Sequence, residues 1–256
     1  MHFSDILLYN NIEIEGDDFM RSSNPVFRTL ERSAVYEGSD VATYRGIVGK
    51  TGLLLALAAA SGYIGMTYFA DLVMTLLFPA LILAFISVII STRSQRLAMP
   101  FAIIYALSEG IFLGLITVLI NSYIPGVALT ALIGTASIFT VMLFLYSSRT
   151  IRVTNRFKRI MYSVLLGFLV FFIFFGILSL FTTIYIDTTI ALIISSIFIV
   201  FGALMLTLDF DRAEMIVSSG AEKSYEWTVS VGLMVTIVWI YVELLRFLLI
   251  FYSRRN

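Results

Sequence analysis

The sequence has no cysteine and a single histidine, His2. Without thiols there is no disulfide, thiolate metal site, iron–sulfur cluster or cysteine nucleophile. With its one histidine at position 2, the chain is not expected to carry a membrane metalloprotease site or a Ser–His pair inside the bilayer. No nucleophile–base pair is in prospect, and an enzyme is not expected. Charge is scarce as well. Asp, Glu, Lys and Arg make up 13% of the 256 residues, against about 25% in a soluble domain. The 17 acidic and 17 basic residues cancel, so net charge does not point to a nucleic-acid partner. There is no GxxxxGK[ST] phosphate loop. The lysines Lys50, Lys158 and Lys223 all fall at helix ends or in loops, which excludes a retinal Schiff base in a last helix.

What the chain has is apolar length. Hydrophobic residues make up 59% of it and mean hydropathy is +0.96. About 20 apolar residues at ~1.5 Å rise cross the ~30 Å hydrocarbon core. Seven windows reach that length, at 48–69, 71–91, 97–120, 127–146, 160–181, 189–208 and 227–251. The expected fold is therefore an all-α membrane protein, a seven-helix bundle over 48–256 preceded by a polar tail at 1–47. The start lacks a signal-peptide pattern, so the first span is expected to act as the insertion signal. Met20, opening "MRSSNPVF", is a second candidate start.

Lys and Arg set the orientation. One side holds Arg21, Arg28, Arg32, Arg45, Lys50, Arg93, Arg96, Arg149, Arg152, Arg156, Lys158, Arg159, Arg212 and Lys223; the three loops on the other side hold none. The tail is expected in the cytoplasm. Arg254 and Arg255, just past the last span, are a mild exception.

Ionisable groups inside a membrane are costly, and each is a candidate site. Glu109 lies near the middle of the third span, on a face with Ala102, Ala106, Gly110, Leu113 and Thr117. That small, polar stripe suits protein or water rather than lipid. Glu109 either ties helices together as a hydrogen-bonded carboxyl or lies on an ion or proton path. Glu243 in the seventh span shares a face with Gly232, Thr236, Trp239 and Arg246. The i,i+3 spacing lets Arg246 neutralise it. Asp209 and Asp211 end the sixth span, where they are either solvated or, on different faces, split between bundle and water. Close carboxylates in low dielectric do not both ionise cheaply. When they do, their oxygens are the ligands a hard cation such as Ca²⁺ prefers.

The stretch "LDFDRAEMIVSSGAEKSYEWTVSVGLMVTIVWIYVELLRFLLIF" resembles the bacterial branch of the Bax inhibitor-1 family, also called the transmembrane Bax inhibitor motif family. "RSSNPVF", "ATYRGIVGKTGLLLAL" and "YALSEGIFLG" extend the resemblance from about residue 20 onward. It implies a seven-helix bundle with the last helix central and a pH-sensitive calcium leak. It also implies an acidic pair on the sixth and seventh helices as pH sensor and gate. Here these acids are Asp209 or Asp211 with Glu243, which would also be the contacts for Ca²⁺ as the transported ion. No resident cofactor is implied. A straight hairpin leaves Asp211 and Glu243 roughly 15 Å apart along the axis, so Glu109 is a rival partner for Glu243. A second function stands beside the leak: a membrane interaction protein that restrains a membrane protease or another membrane complex, with the tail and the basic 149–159 loop as contact surfaces. The bacterial plasma membrane is the location the resemblance implies.

Overall fold

The computed structural model describes residues 41–121, 123–183 and 186–254. The tail before Val41, with Met20, Arg21, Arg28, Arg32 and "RSSNPVF", lies outside these residues, as does Arg255. Seven helices are long and apolar enough to cross a membrane. They are α1 (Tyr44–Tyr68), α2 (Val73–Arg93), α3 (Ala98–Asn121), α4 (Val127–Ser147), α5 (Asn155–Ser179), α6 (Thr188–Ser218) and α7 (Tyr225–Ser253). A 3-10 turn at Ala70–Leu72 joins α1 to α2. Among the described residues there is no strand, only an isolated antiparallel bridge between Val41 and Glu222.

Several helices outrun the apolar windows at the basic end of the bundle, because polar caps satisfy their backbone there. Thr43 Oγ1 accepts from Gly46 N and starts α1 at Tyr44; Thr154 does the same for α5 through Phe157 N. A hydroxyl at this position meets one of the first-turn N–H groups that a helix leaves unpaired. α6 runs ten residues past its window, from 208 to Ser218. Its acidic last turns are helical because their apolar face, with Phe210 and Ala213, packs in the core beside Ile47, Met142 and Val229.

α7 is the central helix. It packs against α1, α2, α3, α4 and α6, and Val231, Met234 and Ile240 on it are fully enclosed. α5 is peripheral, with Met161 its one buried residue. It reaches α6 through rings: Phe168 lies 4.6 Å from Phe198 and 4.9 Å from Phe201, and Phe172 lies 5.5 Å from Phe198. The apolar outer face of α5 suits acyl chains.

α1 and α3 meet backbone to backbone. A Cβ at Gly110 would overlap Ser61 Oγ and the Ala58 carbonyl, and one at Gly114 would overlap the Gly62 carbonyl. This small-residue seam allows an approach that larger side chains forbid. It also fixes the rotation of α3, and with it the direction of Glu109.

Candidate functional site: buried carboxylates around the last helix

α6 and α7 are antiparallel neighbours joined by a short turn, and their register is set by contacts along one seam. Gly202 of α6 lies opposite Trp239 and Ile240: a Cβ there would be 2.9 Å from Ile240 Cγ1. Nearer the basic end, two turns on along α6 and one turn back along α7, Thr236 Oγ1 donates to Asp209 Oδ2 at 2.6 Å. Asp209 also faces Gly232, whose Cβ position is 3.8 Å from Asp209 Oδ1. Asp209 is thus the sixth-helix acid that faces the last helix.

Asp211 points elsewhere. Its Oδ2 lies 2.5 Å from Lys158 Nζ at the start of α5, an ion pair by distance although its angle is not that of a hydrogen bond. Glu214, one turn on, accepts from the Tyr146 hydroxyl and, at 2.7 Å, from Arg149. Arg149 has a left-handed backbone (φ 58°) just past α4. Asp211 and Glu214 therefore hold the α4–α5 turn against α6. Between them opens a cleft of about 520 Å³ lined by Tyr146, Arg149, Arg152, Thr154 and Asp211.

Glu243 is buried, 8% exposed. Arg246 Nη1 stands 3.9 Å from its Oε1, while its Oε2 has no hydrogen-bond partner. It lies seven residues beyond Thr236, about 10 Å along the axis, so Asp209 and Glu243 occupy successive levels of one seam and do not pair. Glu109 is also buried and makes no hydrogen bond or ion pair among the described residues. Its stripe, with Ala102 and Ala106, packs in the core that contains Val231, Met234 and Val238 of α7. Among the described residues no three Asp, Glu or His side chains come together as metal ligands. Asp209, Asp211 and Glu243 therefore do not form a single cation cage.

Sequence reasoning missed a further buried acid. Glu226, in the first turn of α7, has no exposed surface. It accepts from Thr43 N at 2.8 Å, from Thr43 Oγ1 at 3.2 Å and from Lys50 Nζ at 2.7 Å. Lys50 also donates to the Lys223 carbonyl and lies 4.9 Å from the Trp227 ring centroid. Ser230 Oγ donates to the Ile47 carbonyl at 3.0 Å, and Ala42 N donates to the Ala221 carbonyl at 2.8 Å. These bonds clasp the start of α1 to the start of α7. Gly46 makes room, since a Cβ there would overlap the Glu226 carboxylate. The one sequence signal was the pairing of a lone lysine in α1 with an acid at a helix start.

Outside the spans, Asp187 caps α6 at the opposite end. Hydrogen bonds from Thr189, its backbone N–H first, hold the Asp187 carboxyl below the usual carboxylate range.

No curated protein matches the chain at a significant level. A family model described as Bax inhibitor 1 like matches residues 24–253. The protein is a multi-pass integral membrane protein and belongs to the Bax inhibitor-1 family.

Proposed function

We propose that the protein is a pH-sensitive cation leak, with calcium as the ion, gated by protonation of buried carboxylates. The observation that most supports it is the Asp209–Thr236 bond, which directs a sixth-helix carboxylate at the central helix. Glu243 lies farther along the same seam, and Glu109 on α3 is buried in the same bundle. An ionised carboxylate in such surroundings is expensive and a protonated one is not. Proton loss would expose the hard oxygen ligands that Ca²⁺ takes. The acids act at successive levels rather than as one cage, which suits passage better than tight retention. Arg246 offsets Glu243 when the latter is charged. The protein needs no cofactor for this role. Its placement is a bacterial plasma membrane with the N-terminus in the cytoplasm, on the side of the basic turns.

The test is Ca²⁺ flux into proteoliposomes at pH 6 and pH 8, for wild type, D209N, E243Q and E109Q. The reading requires wild-type flux that changes with pH and at least one variant that loses this change. Flux no greater than that of empty liposomes at both pH values would sink it. That outcome would favour the second reading, an interaction protein that restrains a membrane protease or other membrane complex. The exposed Arg152, Arg156 and Arg159 favour that reading as a contact surface.

A further inference from the structure

The cleft at the basic end of the bundle, about 520 Å³, is walled by the α4–α5 turn and by Asp211 of α6. Small-ligand sites span about 300–1,000 Å³, so it has room for a polar group of moderate size. Arg149, Arg152 and Thr154 line it together. Arg149 holds a left-handed backbone, where glycine is less strained, and Glu214 fixes its guanidinium at 2.7 Å. That bond leaves most of the guanidinium N–H donors for a ligand. Asp211 is the acid in the wall, and Lys158 offsets it at 2.5 Å. Arg152, Arg156 and Arg159 are exposed and make no ion pair among the described residues. The first turn of α5 carries no acid, although the positive end of a helix dipole favours one there. Positive charge is thus in excess around the cleft.

A phosphate group suits such a site, because its oxygens accept paired N–H bonds from a guanidinium. It can come from a soluble phosphate ester or from a lipid headgroup, and position favours the lipid. Arg159 directly precedes the apolar run that opens at Ile160, which sets the cleft at the level of the headgroups. Beyond it α5 is exposed along most of its length, with Ile160, Leu166, Leu169 and Val170 open to acyl chains. Basic pockets between membrane helices hold anionic headgroups in this way. We propose that the cleft between the α4–α5 turn and α6 binds the phosphate headgroup of an anionic phospholipid through Arg152 and Arg149, with its acyl chains along α5. Thr154 caps α5 by accepting from Phe157 N, and its O–H is placed to donate to the same phosphate. The lipid supplies the negative charge that the start of α5 lacks. This site is separate from the carboxylate seam and does not depend on whether the protein conducts calcium.

The experiment titrates the full-length protein in detergent with phosphatidylglycerol or with phosphatidylcholine, whose headgroup carries its own cation, and counts bound lipid by native mass spectrometry. Wild type is expected to hold one phosphatidylglycerol about tenfold or more tighter than phosphatidylcholine. R149Q/R152Q is expected to lose most of that preference. R93Q/R96Q removes the same charge from another basic turn and is expected to keep it. R152Q alone removes a side chain that makes no ion pair in the fold, so it guards against misfolding of the double variant. It is expected to weaken phosphatidylglycerol binding and to leave the thermal unfolding midpoint of the lipid-free protein unchanged. Equal affinity of wild type for the two lipids would overturn the site and favour an acidic protein segment as the partner of the basic turn. An equal loss in R93Q/R96Q would overturn it in favour of diffuse charge attraction. Glycerol 3-phosphate at matched concentration is expected not to displace the lipid; displacement would mark a soluble-phosphate site and overturn the lipid reading. No readout involves calcium, so the site and the leak stand or fall separately.

Discussion

Thr236 Oγ1 and Asp209 Oδ2 are joined at 2.6 Å across the interface of α6 and α7. Asp211, two residues on, instead meets Lys158 at 2.5 Å. The two aspartates, equivalent by composition, are therefore separated by the faces they occupy.

T236V removes the only hydrogen bond that holds Asp209 to the central helix among the described residues. A bond to a charged group contributes about 1.5–3 kcal/mol. T236V is expected to destabilise the protein by that order, read as a lower thermal unfolding midpoint in detergent, while T236S, which keeps the hydroxyl, stays near wild type. Equal losses in both would show that shape, not the hydrogen bond, matters there.

D209N and D211N should part company in calcium flux. D209N alters the acid at the last helix and is expected to abolish the pH dependence. D211N breaks a partly exposed pair with Lys158, of the kind worth about 0–1 kcal/mol, and leaves pH dependence intact. The reverse result would move the gate to the α4–α5 turn.

Among the described residues, Lys50 and Glu226 form the most enclosed ion pair, with Glu226 fully buried. Removing one partner strands the other charge, at a cost of about 3–5 kcal/mol in buried pairs. E226L or K50M alone is expected to destabilise the protein more than the K50M/E226L double variant does. A double-mutant cycle by thermal unfolding checks this. Additive losses would mean the pair is not coupled.

Substitution at Gly114 tests the α1–α3 seam. A methyl group there meets the Gly62 carbonyl, a backbone atom that has no rotamer to escape into. G114A is expected to cost at least about 1–3 kcal/mol, as overpacking does. G167A, where a Cβ meets nothing within 4 Å, is expected to cost nothing measurable by the same assay.

Asp187 predicts a pH dependence with a definite sign. Its folded carboxyl sits below the usual range, held by hydrogen bonds from the backbone N–H and the side chain of Thr189. The cap's stabilisation is thus fully present above the ordinary aspartate value and is lost as pH falls through the lower folded value. D187A is expected to unfold at a lower temperature than wild type at pH 7, with the gap closing toward pH 3. A gap independent of pH would mean the charge contributes nothing.

The count of spans, the excess of Lys and Arg on one side and the costly intramembrane acids were all legible in the sequence. Each depends on composition over about 20 residues, and a bilayer reads composition directly. Helix ends were less so: Tyr44 and Asn155 start helices because Thr43 and Thr154 cap them, a local effect that hydropathy windows average away. Which carboxylate faces which helix required the tertiary structure. The rotation of α3 comes from Gly110 and Gly114 against α1, and the register of α6 on α7 from Gly202 against Trp239 and Ile240. Glu226 and Lys50 lie 176 residues apart, and no local pattern links them. Apolar length determined that this chain crosses a membrane, and close packing alone decided where its charges meet.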